Sequence, residues 1–319
     1  MNSPSIHLNS LRQQLPSIVQ LAGDSARFAW EEFFYGRIRS EHTRRAYYRA
    51  VVRFMTWCEG QQIGLRQIAP AHVGVYLTEL KLATASKKQV LAALRHFFDG
   101  MTTRHAVALN PALSVRTERY SVLEGKTPEI TVKQARHLLQ SIDTANLAGL
   151  RDKCIIAILI YTAVRIGAVA KLRRQDFYDA GDQYFLHFVD KGGKSREIPV
   201  RHDLQNLLID YLQQSKRDTT TATCPLFTTA HGKAKQLTEL AMTENDIGRM
   251  VKRRIKKAEL PNQLSAHSFR VATITDLLSQ GVPLEDVQNL AGHADPRTTR
   301  LYDRRHRKIT RNIVERISI

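Results

Sequence analysis

Four residues near the C-terminus have the types and the order needed for nucleophilic attack on a phosphodiester: His267, Arg270, His293 and, nine residues further on, Tyr302. Residues three apart on a helix share a face, so His267 and Arg270 are expected to approach one anion from the same side. A phenol with a pKa near ~10 is ionised to only about one part in a thousand at neutral pH, so it needs cationic neighbours or a base to act as nucleophile. Attack at phosphorus concentrates negative charge on the non-bridging oxygens, where fixed guanidinium and imidazole groups stabilise the in-line transition state. Neither a metal nor ATP is required by this chemistry. Taken singly, a His-x-x-Arg or a surface tyrosine is usually structural, so the argument rests on the ordered set.

Local signals predict the elements that must carry these residues. Ser265 suits the N-cap of a helix bearing His267 and Arg270. Gly281 and Pro283 mark its end and the start of the next helix, where Glu285 and Asp286 complement a positive N-terminus. That helix stops at Gly292, which places His293 at a helix C-terminus, and Asp295-Pro296 reads as N-cap and first-turn proline of a helix carrying Tyr302. Upstream, the apolar run from Cys154 to Val164 is too short for a bilayer and reads as a buried helix, with Arg165 just past it. A charge in that setting demands an anionic partner, whether a ligand or an internal salt bridge. Tyr184–Val189 and Arg196–Val200 flank Gly192-Gly193 and predict a β-hairpin with Lys191 at its turn.

The ordered set Arg165, Lys191, His267 with Arg270, His293 and Tyr302 resembles the signature of the tyrosine site-specific recombinases, the family of phage integrases and Xer-like recombinases that resolve chromosome dimers. Lys191-Gly192-x-x-x-Arg196 is similar to the hairpin of that family. The resemblance implies that Tyr302 breaks a DNA strand through a 3'-phosphotyrosyl bond and that a free 5'-hydroxyl later rejoins it. It further implies that Arg165, Arg270 and His293 neutralise the non-bridging oxygens, that His267 assists proton transfer at the tyrosine, and that Lys191 protonates the leaving oxygen, with Lys194 as the alternative donor. The expected assembly is a homotetramer on two paired duplex sites, exchanging strands through a Holliday junction, with a monomer or dimer on a single site and with accessory proteins as further partners. One departure stands out. The family often has an acid three positions beyond the first arginine, and here Ala168 occupies that place, so support for Arg165 must come from elsewhere.

Composition agrees with a nucleic-acid partner. The chain of 319 residues is long enough for two cores and carries a formal net charge of +18, with a pI near 10.1. A basic surface gains affinity for a polyanion by releasing its counterions. The three cysteines, Cys58, Cys154 and Cys224, are widely spaced and suggest neither a disulfide framework nor a zinc site. With no basic-then-apolar leader pattern, the expectation is a cytoplasmic, nucleoid-associated protein with no membrane partner.

The predicted fold class is mainly α, with an N-terminal helical bundle and a mixed, mostly α catalytic domain containing a small antiparallel sheet. Residues 1–22 read as an arm, 23–115 as the bundle, 116–128 as a linker and 129–319 as the catalytic domain. In the bundle, an aromatic helix ends near Gly36, and further helices are capped by Ser40, started by Pro70 and capped by Thr84. By resemblance the bundle is a SAM-like core-binding domain, whose expected DNA contacts are Thr43, Arg44, Lys87, Lys88 and Arg95. In the catalytic domain, Thr131 and Gln134 form a capping box, and Thr243 caps a helix presenting Arg249, Lys252 and Arg253 to a groove and its phosphates. Ile309, Ile313, Val314 and Ile317 form a one-sided apolar stripe on a terminal helix that must dock on its own subunit or on another, and the resemblance implies a neighbouring subunit.

Two other activities fit parts of this pattern. A type IB topoisomerase shares much of the catalytic set, although the compact two-domain layout favours a recombinase. A catalytically silent DNA-binding regulator is the non-enzyme alternative, and its hallmark would be a missing catalytic residue. All six are present.

Overall fold

The computed structural model describes residues 15–118, 127–189, 193–217, 221–231 and 236–302. The chain divides into two compact units, Met1–Ser121 and Val122–Ile319.

The first unit is helical. Helix α1 (Ser17–Leu21) buries Ile18 and Val19, and Glu59 ties it down by accepting from Ser17 Oγ at 2.6 Å and Ile18 N at 2.9 Å. The end of the expected arm is thus tied to the bundle through Ile18 and Val19, with Leu15 and Ala22 half-buried beside them and Leu21 exposed. Helix α2 (Asp24–Glu31) continues into a wider π-helical turn over Glu32–Arg37. This turn carries Phe33 and Phe34 inward beside Trp30, whose ring centroid lies 4.7 Å from that of Phe34. Helix α3 (Glu41–Gly60) begins where Ser40 Oγ accepts from Thr43 N, as its N-cap type predicts. Helices α4 (Pro70–Glu79) and α5 (Thr84–Thr103) follow. Thr84 is the first helical residue rather than the cap, which is Ala83. Phe54, Phe97, Phe98 and Trp30 are fully enclosed. Truncating such a ring to alanine costs about 3–5 kcal/mol.

The second unit is built around one apolar helix. Thr131 and Gln134 exchange the two bonds of a capping box at the start of α6 (Val132–Gln140). Helix α7 (Leu147–Thr162) is apolar nearly all round and spans 16 residues, which predicts full burial. At its N-terminal end the buried Asp152 accepts from Arg151 at 2.6 Å and from Arg254 at 2.7 Å. Removing one partner from such a buried network costs about 3–5 kcal/mol, because it strands the remaining charge. After α7 come α8 (Ile166–Ala170) and the antiparallel strands β1 (Phe177–Asp179), β2 (Tyr184–Val189) and β3 (Ser195–Pro199). The hairpin pairs Phe188 with Arg196. Helix α9 (His202–Gln214) packs on α7, and β4 (Thr228–Ala230) pairs with β5 (Leu237–Ala241), a hairpin the sequence did not announce. Thr243 caps α10 (Glu244–Lys257), and α11 (Ala266–Ser279), α12 (Leu284–Ala291) and α13 (Pro296–Arg300) close the unit. No described helix is long and apolar enough to cross a membrane.

Candidate active site

Helix α11 begins at Ser265, but the expected cap bond runs the other way: Ser268 Oγ accepts from Ser265 N at 3.0 Å. His267 is exposed on the first turn, while Arg270 is fully buried. The two arise from one helix, yet only the histidine opens to solvent. Arg270 donates to the carbonyls of Ala163 and Ala291, the latter at 2.8 Å. Ala163 closes α7 in the left-handed region, at φ 51°, and so turns the chain back toward Arg270. For a residue with a Cβ that conformation costs roughly 1–2 kcal/mol. The guanidinium of Arg270 thus joins the end of α7 to the end of α12.

Helix α12 stops as predicted, with Gly292 left-handed at φ 62°. His293 follows, its backbone N–H donating to Gln288 O at 3.1 Å and its carbonyl accepting from Gln288 Nε2 at 3.0 Å. Its imidazole is buried, and Nδ1 lies 2.9 Å from the fully buried Oγ1 of Thr299. Asp295 accepts from Arg297 N at 2.8 Å and starts α13 with Pro296 at its first position. Tyr302, one residue beyond Leu301 at the end of that helix, packs half-buried against the small cluster of Ala163, Ile274, Leu278, Val287 and Ala291. Its hydroxyl lies 3.5 Å from His267 Nε2, and its ring is nearly parallel to that of His293, 7° apart in plane and 6.0 Å between centroids.

The electrostatics follow from this crowding of cations. Loss of solvent, then the charges of Arg270 and Arg165, holds His267 below the ordinary imidazole range. The same causes, with Arg196 and His267 added, push His293 down to about 3. Both imidazoles are therefore neutral at pH 7, and His267 has a lone pair available for a proton. A phosphate entering the site opposes both effects, since an anion favours protonated imidazole.

Arg165 is the N-cap residue of α8, and its charge is felt by both histidines, so it belongs to the same cluster. Ala168 is buried and supplies no acid. An acid does approach this turn from α10: a Cβ on Gly167 would lie 2.1 Å from Glu244 Oε1, so the absence of a side chain there makes room for that carboxylate. Lys191 lies outside the described residues. Lys194 is exposed at the start of the β3 arm of the hairpin. Sequence reasoning missed Thr299 as the partner of His293, and only its small polar type in a buried position could have signalled it.

The expected DNA contacts divide in two. Arg44 is half-buried, donates to Ile38 O at 2.9 Å and lies over the Tyr35 ring at 5.5 Å. Arg95 donates to the carbonyls of Ala112 and Val115, fastening the segment after α5. The guanidinium groups of Arg44 and Arg95 thus serve backbone carbonyls in this structure, with part of their five N–H donors. Thr43 sits in the first turn of α3, and Lys87 and Lys88 are half-buried on α5, with Lys87 Nζ 3.4 Å from Thr78 O. On α10, Arg249, Lys252 and Arg253 are all exposed, Lys252 donating to Asn262 O at 2.7 Å and Arg253 lying 3.5 Å from Asp152. Among the described residues, no group of three or more His, Cys, Asp and Glu is placed to share a metal ion.

Comparison with known proteins places this geometry. Residues 128–308 match the model of the phage integrase family, and residues 30–105 match the phage integrase N-terminal SAM-like domain. The chain is 25% identical over 270 residues to a tyrosine recombinase XerD of Staphylococcus saprophyticus, covering 82% of this chain and 88% of that one. It is 27% identical over 269 residues to a tyrosine recombinase XerC of Pelobacter propionicus, covering 82% and 84%. Among solved structures, XerH bound to a palindromic difH substrate in a post-cleavage complex superposes with a TM-score of 0.68 at 20% identity, covering 85% of this chain and 78% of that one. A lambda integrase tetramer bound to a Holliday junction gives 0.63 at 15% identity, covering 92% and 83%. With both domain models matched in order and the tyrosine, histidines and arginines gathered at one place, this chain belongs to the phage integrase family of DNA-breaking and rejoining tyrosine recombinases.

Proposed function

We propose that this protein carries out site-specific recombination with Tyr302 as nucleophile, and that a homotetramer on two paired duplex sites passes through a Holliday junction. The observation that carries the assignment of residues is the 3.5 Å approach of the Tyr302 hydroxyl to His267 Nε2. A neutral imidazole at that distance accepts the phenol proton as the oxygen attacks phosphorus; such contacts commonly tighten once substrate is bound. Arg270 and Arg165, with His293 beside them, stabilise the charge that builds on the non-bridging oxygens. His293 presents a neutral ring, so it contributes hydrogen bonding first and a full charge only after a phosphate has raised its proton affinity. Lys191 delivers a proton to the departing 5'-oxygen. The bond energy of the phosphodiester is retained in the phosphotyrosyl link, so rejoining needs no ATP.

The tetramer is supported by the fold shared with the lambda integrase assembly and by the apolar stripe at Ile309, Ile313, Val314 and Ile317, which lies outside the described residues. The DNA-facing surface includes Arg249, Lys252 and Arg253, which all project from the exposed side of α10. Incubation with supercoiled plasmid tests the whole assignment. Recombinant products that depend on a particular site support it, site-independent relaxation points to a type IB topoisomerase, and binding without any strand breakage points to a silent regulator.

A further inference from the structure

The C-terminus of α12 is gripped by two arginines from different elements. A helix leaves its last carbonyls without partners inside the helix. Here Gln288 O accepts from His293 N at 3.1 Å and Asn289 O accepts from Gly292 N at 3.1 Å. The next two carbonyls have donors from elsewhere: Leu290 O accepts from Arg196, and Ala291 O accepts from Arg270 at 2.8 Å. A second, longer bond at 3.4 Å runs from the same Arg196 nitrogen to Asn289 O. Arg196 stands on β3, opposite Phe188, and its strand is one arm of the hairpin whose connection includes Lys191 and Lys194. The carbonyls it holds lie two and three residues before the left-handed Gly292, which delivers His293.

We propose that Arg196 is a positioning residue that couples the hairpin to the C-terminus of α12, so that the hairpin's proton donor and His293 come into place together. The physical basis is directional. A cation at a helix C-terminus is attracted by the exposed carbonyls and the negative end of the dipole, and a planar guanidinium fixes orientation as well as distance. A strand held at one residue by such a bond cannot shift along its axis without breaking it. Arg270 fixes the neighbouring carbonyl, so the hairpin, α12 and α11 share one anchoring point just before His293. The charge of Arg196 also helps to lower the proton affinity of the His293 imidazole. Lysine in its place keeps the charge and loses the fork, so it restores the coupling only in part.

The inference rests on the strand-cleavage assignment above, with a hairpin lysine as general acid. It is tested with the full-length protein on two suicide substrates, one with an ordinary phosphodiester and one with a 5'-bridging phosphorothiolate, whose sulfur leaves without a proton. Arg196→Ala is expected to slow cleavage of the ordinary substrate by about 10² while binding the site normally, a size appropriate to losing general-acid help. On the sulfur substrate the deficit should fall to within about tenfold of the parent, with Arg196→Lys intermediate on the ordinary one. The His293 ring signals, followed by NMR, should titrate at higher pH in Arg196→Ala, which a role confined to holding the strand would not produce. Cleavage of the ordinary substrate by Arg196→Ala within threefold of the parent would overturn the proposal, and so would an equal loss on both substrates. The Lys191→Ala variant separates the two levels. If Arg196→Ala is rescued by sulfur and Lys191→Ala is not, the coupling stands and the donor is another hairpin residue, with Lys194 next to be tested.

Discussion

The Tyr302 hydroxyl meets His267 Nε2 at 3.5 Å although the two residues lie 35 positions apart, His267 in the first turn of α11 and Tyr302 in the turn just past α13 rather than on that helix as expected. What brings them together is the short path through α12 and α13, in which Gly292 and Asp295 each turn the chain at a fixed place. The contact defines a single predicted event, the loss of the phenol proton to a neutral imidazole. Tyr302→Phe removes only that oxygen. It should abolish the covalent protein–DNA adduct on a nicked suicide substrate while leaving site binding nearly unchanged, as read by denaturing gel and mobility shift. An SDS-resistant adduct formed by the phenylalanine variant would transfer the role to another tyrosine, with Tyr161 the first to be tested, since Tyr211 is fully buried and donates to Leu226 O.

Lys191→Ala should slow cleavage strongly and recover on the bridging phosphorothiolate, since only the leaving group's proton is missing. Arg270→Ala should lose on the order of 10² to 10³ in rate, or more, and stay slow on the same substrate, because charge on the non-bridging oxygens is unaffected by the sulfur. The arginine variant also strips donors from the carbonyls of Ala163 and Ala291. Each buried carbonyl left unmet costs about 1–3 kcal/mol, so a lower melting temperature accompanies the kinetic loss. Equal rescue of both variants would remove the general-acid assignment.

His293 gives the protein a stability that depends on pH. Its folded-state midpoint is pushed down to about 3, against an ordinary value of 6.5, so between these limits the unfolded chain holds a proton that the folded chain does not. Stability therefore falls as pH falls through that window. His267 is shifted in the same direction and adds to the slope. Urea unfolding in the absence of DNA should show His293→Gln losing less stability than the parent between about pH 6.5 and 4. An unchanged pH dependence in the variant would show that His293 is not the group responsible.

Thr299→Val deletes the hydroxyl 2.9 Å from His293 Nδ1 with little change in volume. The imidazole then has no fixed partner on that side, and cleavage should slow by about tenfold, the scale reported by losing one hydrogen bond of roughly 1–1.5 kcal/mol. Thr299→Ser, which retains the oxygen, should keep most of the rate. Single-turnover cleavage of the two variants measures the difference.

Truncation after Arg307 removes the apolar stripe of Ile309, Ile313, Val314 and Ile317. A helix formed over that stripe would be too short to persist alone and would need a surface to dock on. If that surface belongs to a neighbouring subunit, one protomer should still bind a half-site, cooperative filling of a paired site should weaken, and recombination should suffer more than binding. Unchanged cooperativity with intact recombination would show that the tail is not the tether between subunits.

Much of the site was legible because its signals are local. Ser40, Thr131, Thr243 and Asp295 each mark the helix start where the structure has one, and Gly292 marks a helix end, since capping depends on a residue and its next three or four neighbours. The order of Arg165, His267, Arg270, His293 and Tyr302 was enough to state a chemistry. What required the tertiary structure was the disposition of charge. Arg44 and Arg95 looked like surface cations on amphipathic helices, but the carbonyls that hold them belong to segments elsewhere in the chain, Ile38 in one case and Ala112 and Val115 in the other. Nothing in a helical period tells which basic side chain will find such a carbonyl. The same reason hid Thr299 and Arg196, whose partners come from distant or irregular chain. It also hid the carboxylate of Glu244 against Gly167, beside a position where the acid common in the family is absent. Spacing along a chain reports which residues share a helix face. Whether a charge on that face meets water, DNA or an unfilled carbonyl is decided by what the rest of the fold brings opposite it.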